Sequence, residues 1–409
     1  MTSSRRDRPR RPWPTSAIEF LSVEALGGIA LLAATIGALV WANVGTGSYL
    51  NVWASELTVG VGNLAISEPL RAWVNDGLMA VFFFVVGLEI KRELVRGELR
   101  DPRTASLPVF AAIGGMVVPA ALYFALNRGG PDSQGWGIPM ATDIAFAVAV
   151  LAVLSTRIPS GLKLFVLTLA IVDDIGAILV IAIFYSDSIS VLWLAGALGV
   201  ISVIVLLQRV GIAHPIAYVA PAVALWVCTF ESGLHATIAG VVLGLLTPAR
   251  PFGGREVIEG LEHRLHPWSS FLIVPLFALA NAGVILTADS VERAATGTIA
   301  LGVVVGLVVG KPLGIVTATA IGVRSGLGRL PEGVHRVHVL GAGLLAGIGF
   351  TVSLFVASLS FRGVDLDEAK IGILIASIAS GVLGAVLLLI ADRRPEHPPP
   401  LPRQPVAKP

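Results

Sequence analysis

Cysteine is almost absent from this 409-residue chain, with Cys228 the only one. An internal disulfide is therefore excluded. So is a metal centre built on paired thiolates, because no CxxC or Cys/His cluster of ligand spacing occurs. Cys228 lies in an apolar run and reads as a packing residue. Charge is scarce as well: Asp, Glu, Lys and Arg make up 14% of the residues, where an ordinary soluble domain carries about 25%. That shortage excludes a solvated globular fold. The near balance of sign, +2 overall, gives no reason to expect a nucleic-acid partner.

Apolar sequence fills the chain instead. Hydrophobic residues account for 55%, and mean hydropathy is +0.83. The 45 glycines suit helices that pack closely within a bilayer. Hydropathy predicts about twelve spans, at 18–42, 70–90, 105–127, 137–155, 163–185, 189–208, 214–230, 234–248, 268–286, 296–322, 338–361 and 369–391. The fold class is thus an all-α polytopic membrane protein. The first run is too long for a signal peptide and no small-x-small cleavage site closes it. Span 8 is short, which suggests a partial or tilted crossing, and residues 253–266 form an amphipathic segment suited to the membrane interface.

Residues 18–391 then form a single transmembrane domain between a basic, Arg/Pro-rich tail at 1–17 and a Pro-rich tail at 392–409. The first tail is expected to be disordered. With the N-terminus placed in the cytoplasm and sides alternating, most of the 29 basic residues fall on the cytoplasmic side. This is the positive-inside bias, and it places both termini in the cytoplasm. The long loop 43–69 is then external. Its β-prone runs around Gly and Asn suit a hairpin, which could pair with a second subunit or fold on itself as a cap.

The functional signal is what interrupts the apolar spans. Residues 164–185, LFVLTLAIVDDIGAILVIAIFY, are long enough to cross a bilayer, yet Asp173 and Asp174 stand at the centre. Each costs about 2.5–3.5 kcal/mol at mid-membrane. On a helix the two are about 100° apart, so one can face an ion path while the other meets a neighbouring helix. In span 4, Pro139 removes a backbone donor and Gly135 and Gly137 loosen the helix, placing Thr142 and Asp143 at a break. Asp143 there suits either a helix N-cap or an ion ligand, and the two roles are compatible. Lys311 is the only base deep in a span, and Asp173 and Asp143 are both candidate partners. Span 11 carries Gly341, Gly343, Gly347 and Gly349, a density that suits a second break or simply close packing.

Two triples result. Spans 3–5 and spans 10–12 start on opposite sides, and the interrupted spans 4 and 11 are the middle members. That is the pattern of inverted repeats with an ion site where the broken helices cross.

These stretches resemble the NhaA-type sodium/proton antiporter family. The matching segments are VNDGLMAVFFFVVGLEIKREL (74–94), ATDIAFAVAVLAVL (141–154), LAIVDDIGAI (169–178), SGLHATIAG (232–240), LEHRLHPW (261–268), PLFALANAG (275–283), GKPLGI (310–315) and GIGFTVSLF (347–355). They run in order through nearly the whole chain. The resemblance implies Asp174 as the central cation ligand, with Asp173 beside it and Thr142 and Asp143 at the break. It implies that Lys311 pairs with Asp173 or balances charge among the crossed helices. Residues implied in the pH response are Glu89, Arg92, Glu93, Glu262, His263 and His266 near the cytoplasmic ends, and His235 on the external side. Ordinary interfacial hydrogen bonding would account for each histidine equally well.

The resemblance further implies exchange of Na+, and Li+, for a larger number of protons, hence an electrogenic transporter of the bacterial inner membrane. It implies a homodimer joined through residues 43–69, no cofactor and no enzymatic activity. The rival readings are a sodium-coupled solute symporter, a channel and an intramembrane aspartyl protease. The protease class carries its two Asp residues on separate helices, one in a GxGD motif that this chain lacks, and no TVGYG-type filter loop supports a channel.

Overall fold

The computed structural model describes residues 15–60, 65–155, 158–186, 189–254 and 256–392. The tails expected at 1–17 and 392–409 therefore fall outside the described residues, except that 15–17 begin the first helix and Asp392 ends the last. Helix α1 (Thr15–Val44) leads into a short helix α2 (Thr46–Ala54) and two strands, β1 (Glu56–Val59) and β2 (Ile66–Pro69). The strands pair antiparallel, Glu56 opposite Pro69 and Val59 opposite Ile66. The segment 43–69 thus contains a hairpin, preceded by a helical turn that the strand pattern alone does not predict.

From the hairpin the chain enters α3 (Leu70–Ala72), a wide-turn stretch Trp73–Leu78 and α4 (Met79–Val95). Next come α5 (Pro102–Leu126), a tight helix Pro131–Met140, α6 (Ile144–Val153) and α7 (Ser160–Phe184). Helices α8 (Val191–Arg209), α9 (Ile216–Glu231) and α10 (Thr237–Leu246) follow. Helix α11 (Val257–Trp268) passes through a wide turn, Ser269–Ile273, into α12 (Val274–Asn281). After α13 (Ala288–Thr296) come α14 (Thr298–Val305), a third wide turn Gly306–Gly310 and α15 (Lys311–Arg324). The chain closes with α16 (Arg336–Ala346), α17 (Phe350–Ser360) and α18 (Gly363–Asp392).

Among the described residues, seven helices are long and apolar enough to cross a bilayer, and α16 with α17 form an eighth span bent by 46°. Helices α9 and α10 are apolar but shorter, so the sequence count of twelve includes segments that length alone does not qualify. The short span expected at 234–248 is the ten-residue α10. Helix α8 turns large apolar side chains outward, with Leu192 79% and Leu206 60% exposed. That surface suits lipid rather than water.

Both expected breaks are present. In the first triple, the tight helix ends at Met140, residues 141–143 are extended, and α6 starts at Ile144. In the second, α16 stops at Ala346 and α17 resumes at Phe350. The continuous helices beside them pack through glycine. As the 298–324 helix runs from Gly302 to Gly322, its neighbours on α5 run back from Tyr123 through Pro119 and Gly114 to Leu107. The two helices are therefore antiparallel, as inverted repeats require. A Cβ on Gly114 would stand 2.5 Å from the Gly314 carbonyl oxygen, and one on Gly314 would collide with the Gly114 carbonyl. Only glycine permits this approach.

A side chain at that crossing must force the helices apart. Gly314→Val is expected to cost about 1–3 kcal/mol by overpacking and to lower the melting temperature of the purified protein by several degrees. Gly199→Ala on α8, where nothing lies within 4 Å, should leave melting unchanged or slightly raised. Equal melting of the two variants would refute this account of the crossing.

Candidate cation-binding site

Helix α7 carries Asp173 and Asp174 into the protein between the two breaks. Their adjacent positions send them to different neighbours. Asp173, fully buried, is held by Lys311, whose Nζ lies 2.5 Å from its Oδ2. Lys311 is also fully buried, and its ammonium donates to the Met140 carbonyl at the end of the tight helix. The carboxylate in contact with this ammonium is Asp173. Local sequence aims it: the wide turn Gly306–Gly310 precedes Lys311, and Pro312 after it has no N–H to give.

Thr142 stands between two acceptors. Its Oγ1 lies 2.5 Å from Asp173 Oδ2 and 3.0 Å from the Ala346 carbonyl oxygen. A hydroxyl has one hydrogen to donate, so it serves one acceptor at a time. Asp143 is both a cap and a bridge. Its Oδ1 accepts from the Phe146 N–H and so caps α6. Its Oδ2 accepts from the N–H of Thr351, 3.0 Å, and from the Thr351 hydroxyl, 2.6 Å, in the first turn of α17. The Asp143 N–H donates to the Ile348 carbonyl at 2.6 Å, joining the two breaks directly. One carboxylate therefore faces the starts of two half-helices, where negative charge is favoured.

Asp174 is different. It is 6% exposed, its Oδ1 accepts no hydrogen bond, and it lines a cavity shared with Thr142, Asp143 and Thr351. The cavity has about 60 Å³ of room for water, enough for a few molecules. Glu89, Arg92 and His266 line it too.

Those residues belong to a polar cluster where α4 meets α11. Arg92 pairs with Glu262 and lies 3.4 Å from Glu93. Arg96 pairs with Glu256 at 2.7 Å and with Glu259. His266 is buried at the cavity, whereas His263 on the same helix is exposed. His235 stands apart from this cluster: its Nε2 lies 2.5 Å from the Tyr185 carbonyl, at the far end of α7. Thr351 is the site residue that sequence reasoning passed over. Its signal was its place two residues after Gly349, in the first turn of the resumed helix.

Two expectations follow from this geometry. Removing one member of the Lys311–Asp173 pair leaves a buried charge unbalanced, so Lys311→Ala should cost about 3–5 kcal/mol. The double variant Lys311→Gln with Asp173→Asn should recover most of that loss in thermal melting. The second concerns Glu262 on α11, outside the spanning helices. Burial pushes its carboxyl above the usual range, and Arg92 offsets only part of this. The folded protein then holds that proton more tightly than the unfolded chain. The resulting stability is full at low pH and is lost as pH rises through the raised value. Glu262→Gln should flatten the dependence of melting temperature on pH above the ordinary carboxylate range, where that stability is being lost; an unchanged slope would assign it to other groups.

Comparison with known proteins agrees with this architecture. The family model described as Na+/H+ antiporter 1 matches residues 18–388. The protein named Na(+)/H(+) antiporter NhaA of Escherichia coli O1:K1 is 47% identical over 371 residues, covering 89% of this chain and 95% of the relative. Its namesake in Shigella dysenteriae serotype 1 is 46% identical over the same shares. Similarity of that depth, along nearly the full length of both partners, shows that the chain belongs to the NhaA-type Na+/H+ antiporter 1 family.

Proposed function

We propose that this chain is a secondary transporter, not an enzyme, that exchanges sodium ions, and lithium ions, for protons across a bacterial inner membrane. The observation that carries the reading is Asp174, a buried carboxylate with an unpartnered oxygen on a cavity that also reaches Thr142, Asp143 and Thr351. The name of the relatives, Na(+)/H(+) antiporter NhaA, supports the same exchange. A small hard cation prefers oxygen ligands, and this cavity offers carboxylate, hydroxyl and, at the breaks, backbone carbonyl oxygens.

The mechanism is competition. With Asp174 protonated the site is neutral there and holds no sodium. With Asp174 ionised, sodium takes the place of the proton. An ionised, empty carboxylate away from water is costly, so the occupied forms are the ones that change access. Asp173 carries the second negative charge, and the Lys311 ammonium neutralises it while the cation is absent. When the cation binds beside Asp173, Lys311 releases one proton and stays as the neutral amine, which supplies the second proton exchanged. Two protons against one singly charged cation makes the exchange electrogenic. Arg92, Glu93, Glu262, Glu89, His263 and His266 respond to cytoplasmic pH at the mouth of the cavity, and His235 responds on the external side. Both termini face the cytoplasm, the single domain spans 18–391, and two copies join through residues 43–69.

The test is flux in proteoliposomes carrying an imposed pH gradient. Wild-type protein should collapse the gradient on addition of Na+ or Li+ but not K+, and Asp174→Asn should reduce that collapse to the level of empty vesicles. A variant that exchanges normally would remove Asp174 from the site. Sodium-dependent uptake of an organic solute without proton movement would replace antiport by symport.

A further inference from the structure

A second charged cluster lies far from the aspartate pair, at the hairpin end of the bundle, and its charges do not balance. Lys370, in the second turn of α18, is 4% exposed. Its nearest acid is Asp367, 3.8 Å away and itself 41% exposed. That spacing is beyond hydrogen-bond range. Arg71, directly after β2, lies close enough to add repulsion to Lys370. Arg71 also lies beside the Tyr49 hydroxyl, which spends its hydrogen on the Leu279 and Ala280 carbonyls. The Arg71 Nε is buried and has no hydrogen-bond partner.

One neighbouring acid, Glu368, is engaged elsewhere: it accepts from the Ala300 N–H at the start of α14. Glu68 and Asp76 line a separate crevice with Trp73 and Trp226. Lys370 is thus buried with one half-exposed carboxylate beside it, and the half-buried Arg71 keeps a buried Nε–H with no partner. Leaving such charge without a partner is expensive, and a guanidinium donor with nothing to donate to adds to the cost.

We propose that Arg71 and Lys370 form a binding site for one phosphate group. An oxyanion between them would take the idle Nε–H and the Lys370 ammonium, and it would cancel the surplus charge. Guanidinium and ammonium together suit phosphate through directional and point-charge contacts respectively. The phosphate has two possible sources. A phospholipid would set its headgroup here and lay its chains along the apolar face of α18, where Val364 and Ile375 are each 51% exposed. Free inorganic phosphate would need only the two cations.

The experiment is thermal melting of the full-length protein in a phosphate-free maltoside detergent. Separate arms receive phosphatidylglycerol, inorganic phosphate or nothing. Wild type should melt about 2 °C or more higher in at least one phosphate arm. Response to the lipid alone identifies a headgroup, and response to inorganic phosphate identifies a free anion. Arg71→Gln and Lys370→Gln should abolish the rise, whereas Lys370→Arg should keep it. Asp367→Asn should strengthen it, because the competing carboxylate is gone; a purely structural ion pair would predict the reverse. If Lys370→Gln does not fold, Arg71→Gln against Lys370→Arg decides the matter. The proposal is overturned if neither arm stabilises wild type, or if Arg71→Gln gains as much as wild type does.

Discussion

The ion pair between Lys311 and Asp173 is the constraint on which the interior is arranged. Both partners are fully withdrawn from solvent. In such surroundings an unpaired charge costs several kcal/mol, so neither residue is tolerable without the other. The pair links α15 of the second triple to α7 of the first. It also fixes the end of the tight helix at Met140, because the same ammonium serves that carbonyl. A hydrophobic pair of similar size would hold helices together at least as well. A titratable pair gains something different: a bond whose strength depends on what occupies its surroundings.

The breaks follow the same electrostatic logic. Interrupting a helix in lipid exposes backbone groups that water cannot satisfy. Here the two interruptions satisfy one another. Asp143 answers the starts of α6 and α17, Lys311 answers the end of the tight helix, and Thr142 reaches across to Ala346. The crossing is stable because each broken element supplies what the other lacks. Asp174 is left out of this mutual arrangement, and the cavity opens beside it.

Much of this was legible in the residues. Apolar length marked the spans, the adjacent acids marked the centre, and Pro139 with its neighbouring glycines marked the first break. The second break rested on glycine density, a weaker signal because tight packing leaves the same trace. Other features were hidden. A helix drawn from sequence has no fixed rotation against its neighbours, so Asp173 and Asp143 remained equal candidates for Lys311. The wide turns at Trp73–Leu78, Ser269–Ile273 and Gly306–Gly310 share no residue signature and arise from tertiary packing. Thr351 carried no charge to draw notice. The division between Glu262, paired with Arg92, and His263, turned outward, depends on which face of α11 docks on α4.

The contact between Gly114 and Gly314 has its own consequence. Side chains that interdigitate fix the register of two helices like gear teeth, whereas bare backbones meet as a smooth bearing. The bare contact is confined to that point: on either side Ile315 packs at Gly115 and Leu107 at Gly322, so side chains hold the register there. The charged latch near it, Lys311 on Asp173, lies three residues from Gly314, so the closest approach of the two repeats and, among the described residues, their only fully buried ion pair fall on the same turn of helix.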